Sequence, residues 1–262
     1  MSLRSLSLGL AMIGVLYSVS TASAFQRVRL YASFTPDRLN ASTTVAFGLA
    51  VSSSTDAPPS PLKELQLFLP AGLGLATSTL GLANCNPSAL LARGLEGCSV
   101  NARMGFGTAE AVVPISPEKV IEKATVTALA GPFNPGRLEL LFYAEAFSPV
   151  AAQLVFPGRM EIAAPKGLYG GDLETTIPLV PTWPGGPDVA LTRLRSTIGP
   201  AGLLYTRRLH GRTIHFHPRG ITIPSSCPAG GFRLAGIFSF LDGTNASTTT
   251  RIPCPRKHPH TG

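Results

Sequence analysis

The sequence predicts an all-β protein of antiparallel β-sandwich architecture, in two sandwich modules, with one short helix between Cys85 and Cys98. Three observations carry this. The apolar runs are short, rich in Val, Ile, Leu, Phe and Thr, and divided by 24 Pro and 27 Gly, which is the grammar of strands and turns. The segment 137–147 alternates, with Leu138, Leu140, Phe142, Ala144 and Ala146 on one face and Glu139, Leu141, Tyr143, Glu145 and Phe147 on the other. A convincing helix signal occurs once. With 44% hydrophobic and 14% charged residues in 262, the composition excludes a disordered chain or a coiled coil.

The elements follow in chain order. Arg4 precedes the apolar run Leu6 to Val19, and Thr21-Ala22-Ser23-Ala24 supplies the small residues of a cleavage site, so residues 1–24 read as an export signal. About fourteen apolar residues are too few to span a membrane, which needs roughly 20. Strands are expected at 27–34, 43–51 and 62–69. Asn86 suits a helix cap, Pro87 the first helical position and Gly94 the terminus, which places a helical turn or two over 88–93. Strand 102–113 leads into the Pro-rich segment 113–117, read as a linker that divides residues 25–115 from residues 116–256. The second module carries strands at 124–130, 137–147, 152–156, 176–180, 189–197, 213–217 and 221–223. Runs 232–241 and 244–252 flank Asp242-Gly243, a pair suited to a two-residue type I′ turn, and residues 257–262 form a disordered polar tail.

Four cysteines allow three pairings, and in an exported chain an even number favours disulfides. The expected pairs are Cys85–Cys98, bracketing the helix, and Cys227–Cys254. The hairpin register that joins Leu241 to Thr244 sets Cys254 opposite Gly231, within reach of Cys227 through Pro228-Ala229-Gly230. A zinc site would show C-x₂₋₄-C spacing, which the chain lacks, so no metal is expected.

Charge is uneven. Residues 25–188 carry 11 basic against 13 acidic residues, whereas residues 189–262 carry ten against the single Asp242. Such a block attracts polyanions in a salt-sensitive way. Arg207, Arg208 and Arg212 are the expected contacts for an anionic ligand, while 17 Arg to 5 Lys also fits compositional bias.

Cys85 with Cys98, the run Arg103-Met104-Gly105-Phe106-Gly107-Thr108-Ala109, the segment Ile223-Pro224-Ser225-Ser226-Cys227-Pro228-Ala229-Gly230-Gly231-Phe232, Leu241-Asp242-Gly243 and Pro253-Cys254-Pro255 together resemble a group of secreted, β-rich actinobacterial proteins. The resemblance covers about half of the chain and implies fold and export; that group has no assigned activity, so it carries over no catalytic residue.

Catalytic chemistry finds little footing. The chain has no G-x-S-x-G elbow, H-E-x-x-H helix or P-loop. Glu139 and Glu145 share a strand face but stand about 20 Å apart, too far for a glycosidase pair. Asp172 and Glu174 sit two apart and read as a solvated strand edge. His215 and His217 fall on one strand face, with His210 the nearest third ligand, yet nearby arginines oppose a cation. Only Tyr205 and Phe216 interleave with the arginines, which gives no platform for specific nucleic-acid recognition. Trp183, the single Trp, lies in a Pro/Gly loop and reads as a plug at a core edge or a sugar platform. The expectation is an exported, non-enzymatic binding or structural protein of the cell envelope or extracellular space, free of cofactors and of any membrane anchor after cleavage. Its expected partner is an anionic cell-wall polymer or another envelope protein. The alternatives are a scaffold subunit that pairs through strand edges, or an extracellular hydrolase of unrecognised type.

Overall fold

A computed structural model describes residues 25–115, 118–135 and 137–255. The expected export signal at 1–24 and the tail at 257–262 lie outside the described residues. The elements are β1 (Gln26–Thr35), β2 (Ser42–Ser53), β3 (Leu62–Pro70), β4 (Gly74–Leu75), α1 (Pro87–Arg93), β5 (Arg103–Ile115), β6 (Glu118–Ala130), β7 (Leu138–Ala146) and β8 (Ala152–Lys166). They continue with β9 (Tyr169–Thr176), β10 (Ala190–Ile198), β11 (Tyr205–Leu209), β12 (Arg212–Phe216), β13 (Ile221–Thr222), β14 (Phe232–Phe240) and β15 (Asn245–Ile252). All the strand pairings are antiparallel, so the all-β, sandwich-like class read from the sequence is the class observed.

The long strands form one sheet in the order β15-β14-β3-β9-β8-β7-β6-β5-β10-β2-β1, folded over so that its inward faces share a single interior. Its two edges meet. The Gln26 side chain at the start of β1 donates to Asp242 in the β14–β15 turn (3.0 Å), and Phe34 at the end of β1 packs edge-on against Phe232, which pairs with Ile252. β1 therefore runs beside β15 in the same direction, without a ladder between them.

The expected division at residue 115 does not match this arrangement. Ile115 pairs with Glu118, so β5 and β6 form one long hairpin with no domain boundary between them, and β2 and β3 from one side of it lie among β9, β10 and β14 from the other. Strand assignments change as well. β8 was expected to stop before Pro157, because a proline lacks the ladder N–H. The strand continues because the backbone edge of Pro157 faces β9 where that ladder has ended: pairing with β9 starts only at Gly158–Thr175, and the Pro157 carbonyl accepts from the Thr175 hydroxyl (2.8 Å). β9 occupies 169–176 rather than 176–180, its glycines allowing close backbone approach; a Cβ on Gly171 would stand 2.5 Å from the Glu161 carbonyl oxygen. β11, which has no apolar alternation, is a strand beyond those expected from the sequence.

The helix behaves as its sequence dictates. The Asn86 side chain accepts from the Ser88 and Ala89 N–H groups, Pro87 opens the helix and Gly94, at φ 58°, ends it. A 3₁₀ turn over Gly94–Gly97 comes next, and a second over Val100–Ala102 follows Cys98. The disulfide Cys85–Cys98 staples this excursion onto the outer face of β6 and β7, where Leu90 buries against Leu129, Leu141 and Tyr143. The second face of β7 is thus dry where the helix covers it.

Cys227–Cys254 forms as expected, but the hairpin beside it differs in register. Ser239 pairs with Asn245, and Phe240 N–H donates to the Thr244 carbonyl, so the loop is Leu241-Asp242-Gly243. A two-residue type I′ turn needs positive φ at both positions; only Gly243 has it, at 81°. Asp242 instead accepts from both the N–H and the hydroxyl of Thr244, which fixes a three-residue loop and sets Cys254 one residue further along the opposite strand.

Candidate functional site

β11 and β12 make a two-stranded ribbon apart from the main sheet. The turn between them is His210-Gly211, at φ 49° and 78°, and Leu209 pairs with Arg212; two positive-φ residues match the twist of a tight hairpin. Every residue from Arg207 to Thr213 is exposed.

The base of the ribbon is held by the disulfide-stapled excursion. The Asn101 side chain pairs with the backbone of Thr206, accepting from its N–H (2.8 Å) and donating to its carbonyl (2.7 Å), as a neighbouring strand would. Tyr205 is fully buried, and its hydroxyl donates to the Arg103 carbonyl and accepts from Gly81 N–H (2.9 Å). On the return strand the Phe216 ring meets Tyr205 edge-on, centroids 5.9 Å apart, and His217 Nδ1 hydrogen-bonds the Leu203 carbonyl (2.9 Å).

The register decides which arginines act together. Tyr205, Arg207 and Leu209 lie opposite Phe216, Ile214 and Arg212, so Arg207 and Arg212 share one face as diagonal neighbours. Arg208 sits on the other face, beside Thr213 and diagonal to His215. The expected trio is therefore split, two and one, across a ribbon exposed on both faces only toward its tip. The Arg207 guanidinium lies 5.6 Å from the centre of the Phe216 ring, a cation–π contact that orients it without neutralising it. Ion pairs among the described residues are Arg137–Glu161 and Arg193–Glu110, so no described carboxylate comes within 4 Å of Arg207, Arg208 or Arg212.

The remaining candidates are not brought together. β12 ends at Phe216, which leaves His217 outside the strand and bonded to Leu203, while His215 is exposed. No three His, Cys, Asp or Glu side chains converge among the described residues. Asp172 and Glu174 stand in the middle of β9 on its outer face, both bonded to the Gln66 amide (3.1 and 2.9 Å). Trp183 is half exposed and lies across its own loop, so close to Gly186 that a Cβ there would meet the indole at 2.6 Å. It does not plug the core.

Sequence reasoning missed a groove of about 660 Å³ on the outer face of β1, β2, β10 and β5. Its floor is Ala46, Gly48 and Ala50, and its walls include Tyr31, Arg195 and Phe106. The signal was present in 42–53, where inward Val45, Phe47, Leu49 and Val51 alternate with these small outward residues. Gly202, on the connection from β10 to the ribbon, lies against Phe106, so the groove and the ribbon share one end of the molecule. Comparison with models of known families, with curated proteins and with solved structures returned no match.

Proposed function

We propose that this protein is an exported, non-enzymatic binding or structural protein of the cell envelope or extracellular space, and that its ribbon contacts an anionic polymer of the wall through Arg207, Arg208 and Arg212. The observation that carries this reading is a projecting ribbon with three exposed arginines and no described carboxylate in reach to pair with them. A surface of that kind holds a positive potential that a polyanion with charges on both sides of the ribbon can satisfy. Both disulfides are formed, as suits a chain that works in an oxidising compartment, in keeping with the export signal expected at 1–24 and with the resemblance to secreted actinobacterial proteins. Pairing through the edges of the main sheet, as a scaffold subunit would use, finds less support, because β1 and β15 lie against each other.

The test is retention of the purified, oxidised protein on isolated cell walls across a salt series, beside the triple variant Arg207→Ala, Arg208→Ala, Arg212→Ala. Screening shortens from about 10 Å at 0.1 M salt to about 3 Å at 1 M, so retention falls across that range and is weak for the variant at every salt concentration. Retention indifferent to both salt and the substitutions refutes the assignment.

A further inference from the structure

The shared interior is not filled evenly along its length. At one end of the central strands the inward side chains are large and buried, as at Met104, Leu140, Met160 and Ile198. Toward the other end the same strands turn inward Ala109, Ala111, Ala124, Ala144 and Ala152, and the register sets Ala124 across from Ala109 and Ala146, and Ala146 across from Ala152. Two facing layers stand about 10 Å apart, a gap that side chains of Leu or Phe size fill and alanines do not. The result is an apolar cup of about 180 Å³, and Ala109, Ala124, Ala144 and Leu194 in its wall stay only half-buried although they point inward. Cavities of about 150 Å³ with apolar walls stay dry and take up apolar molecules.

The polar groups of the wall are already satisfied. Glu122, 5% exposed, accepts from the Ser148 and Val150 N–H groups (3.1 and 2.9 Å); the Thr175 hydroxyl donates to the Pro157 carbonyl, and Ser196 donates to Phe106. Nothing in the cup asks for a polar partner. Phe47, Leu67 and Leu173 line both the cup and a second apolar void of about 60 Å³ between the layers. The mouth lies by the 147–150 turn that Glu122 holds and by Leu179, itself 38% exposed.

We propose that this cup binds the aliphatic chain of a lipid-like molecule, its tip directed toward Phe47, Leu67 and Leu173 and its polar end in water at the mouth. Chain burial contributes about 0.8 kcal/mol per methylene, and a preformed pocket spends none of it on reorganisation. The cup and the basic ribbon rest on different residues, so the two assignments stand or fall separately.

The probe is N-phenyl-1-naphthylamine, titrated into the oxidised protein by fluorescence and displaced with dodecan-1-ol. The expected result is one saturable site per chain, displaced by the alcohol, with affinity lowered by at least about tenfold in Ala144→Phe and in Ala124→Leu. Filling empty space leaves the melting temperature of these variants unchanged or higher. The triple arginine variant binds the probe as the native protein does. Absence of saturable binding by the native protein overturns the proposal, as does undiminished binding by either filled variant. If Ala144→Phe does not fold, Ala124→Leu decides, and a one-to-one dodecan-1-ol complex of the native protein, or its absence, in native mass spectrometry decides independently.

Discussion

Replacing Tyr205 by Phe removes one oxygen atom from the base of the ribbon and keeps the ring, with its edge-on contact to Phe216. The side chain is 0% exposed, so water does not replace what is lost. Two hydrogen bonds disappear, the donation to the Arg103 carbonyl and the acceptance from Gly81 N–H. A buried hydrogen bond contributes about 1 kcal/mol net, and an N–H left unpaired inside costs about 1–3 kcal/mol; the carbonyl keeps a second lone pair and loses less. The expected loss is about 2–3 kcal/mol, read from urea denaturation as a lower midpoint at unchanged slope. A loss under about 0.5 kcal/mol would show that the hydroxyl is not sealed in the interior. The same atom has an alkaline signature. Burial pushes the Tyr205 hydroxyl above the ordinary tyrosine range, and the Gly81 N–H offsets only part of this. A raised value means that the neutral form stabilises the fold fully below the unfolded value of about 10, and that this stability is lost as pH climbs past it. Stability of the native protein therefore falls above about pH 10, and less steeply in Tyr205→Phe. Tyr143 contributes in the same direction in both proteins, because burial and the Glu145 carboxylate push its hydroxyl up. An alkaline limb of identical steepness in the two proteins refutes the reasoning.

Cys227 and Cys254 stand 27 residues apart and Cys85 and Cys98 13 apart, which by loop entropy assigns the bridges about 3.6 and about 2.9 kcal/mol. Paired Cys→Ala variants should show losses of that order by chemical denaturation, and removal of Cys85–Cys98 should also raise hydrogen exchange at Thr206, whose N–H bonds Asn101. Glu122→Ala leaves the Ser148 and Val150 N–H groups without their acceptor, an expected loss of about 3 kcal/mol, whereas Glu122→Gln keeps one acceptor and loses less; equal stability in both variants would contradict this. Burial acts to raise the Asp242 carboxyl, but bonds from Thr244, Gln26 and Ser60 outweigh it and hold the group below its ordinary value. A depressed value stabilises the fold above the unfolded carboxylate range and ceases to as pH falls through the folded value. Asp242→Asn should therefore flatten the acid limb of the stability profile below about pH 4.

Much of the candidate site was visible in the chain. The arginines stand in a stretch without acids, and His210-Gly211 is a turn signal, so exposure of Arg207, Arg208 and Arg212 follows from their order. Their distribution over two faces does not, since it depends on a hairpin register set by which residue takes positive φ. The alanines of the cup are equally plain in sequence. They acquire meaning only when β5, β6, β7 and β8 align them at one level, because a small residue empties space only if its neighbours across the gap are small too.

Local chemistry determined the β class, the helix from Asn86 to Gly94, the two disulfide pairs and the basic block, because each rests on side chains within a few turns of chain: alternation, capping, turn residues and short loops. Long-range pairing decided the rest. β3 lies between β14 and β9, roughly 170 and 105 residues away along the chain, and nothing in its own alternation names those neighbours. The single continuous sheet in place of two modules, the strand that passes through Pro157, and the open cup at one end of the interior all follow from which strands share hydrogen bonds. Strand pairing is common to every strand's backbone, and the choice among partners is made by how all the inward faces close on one core.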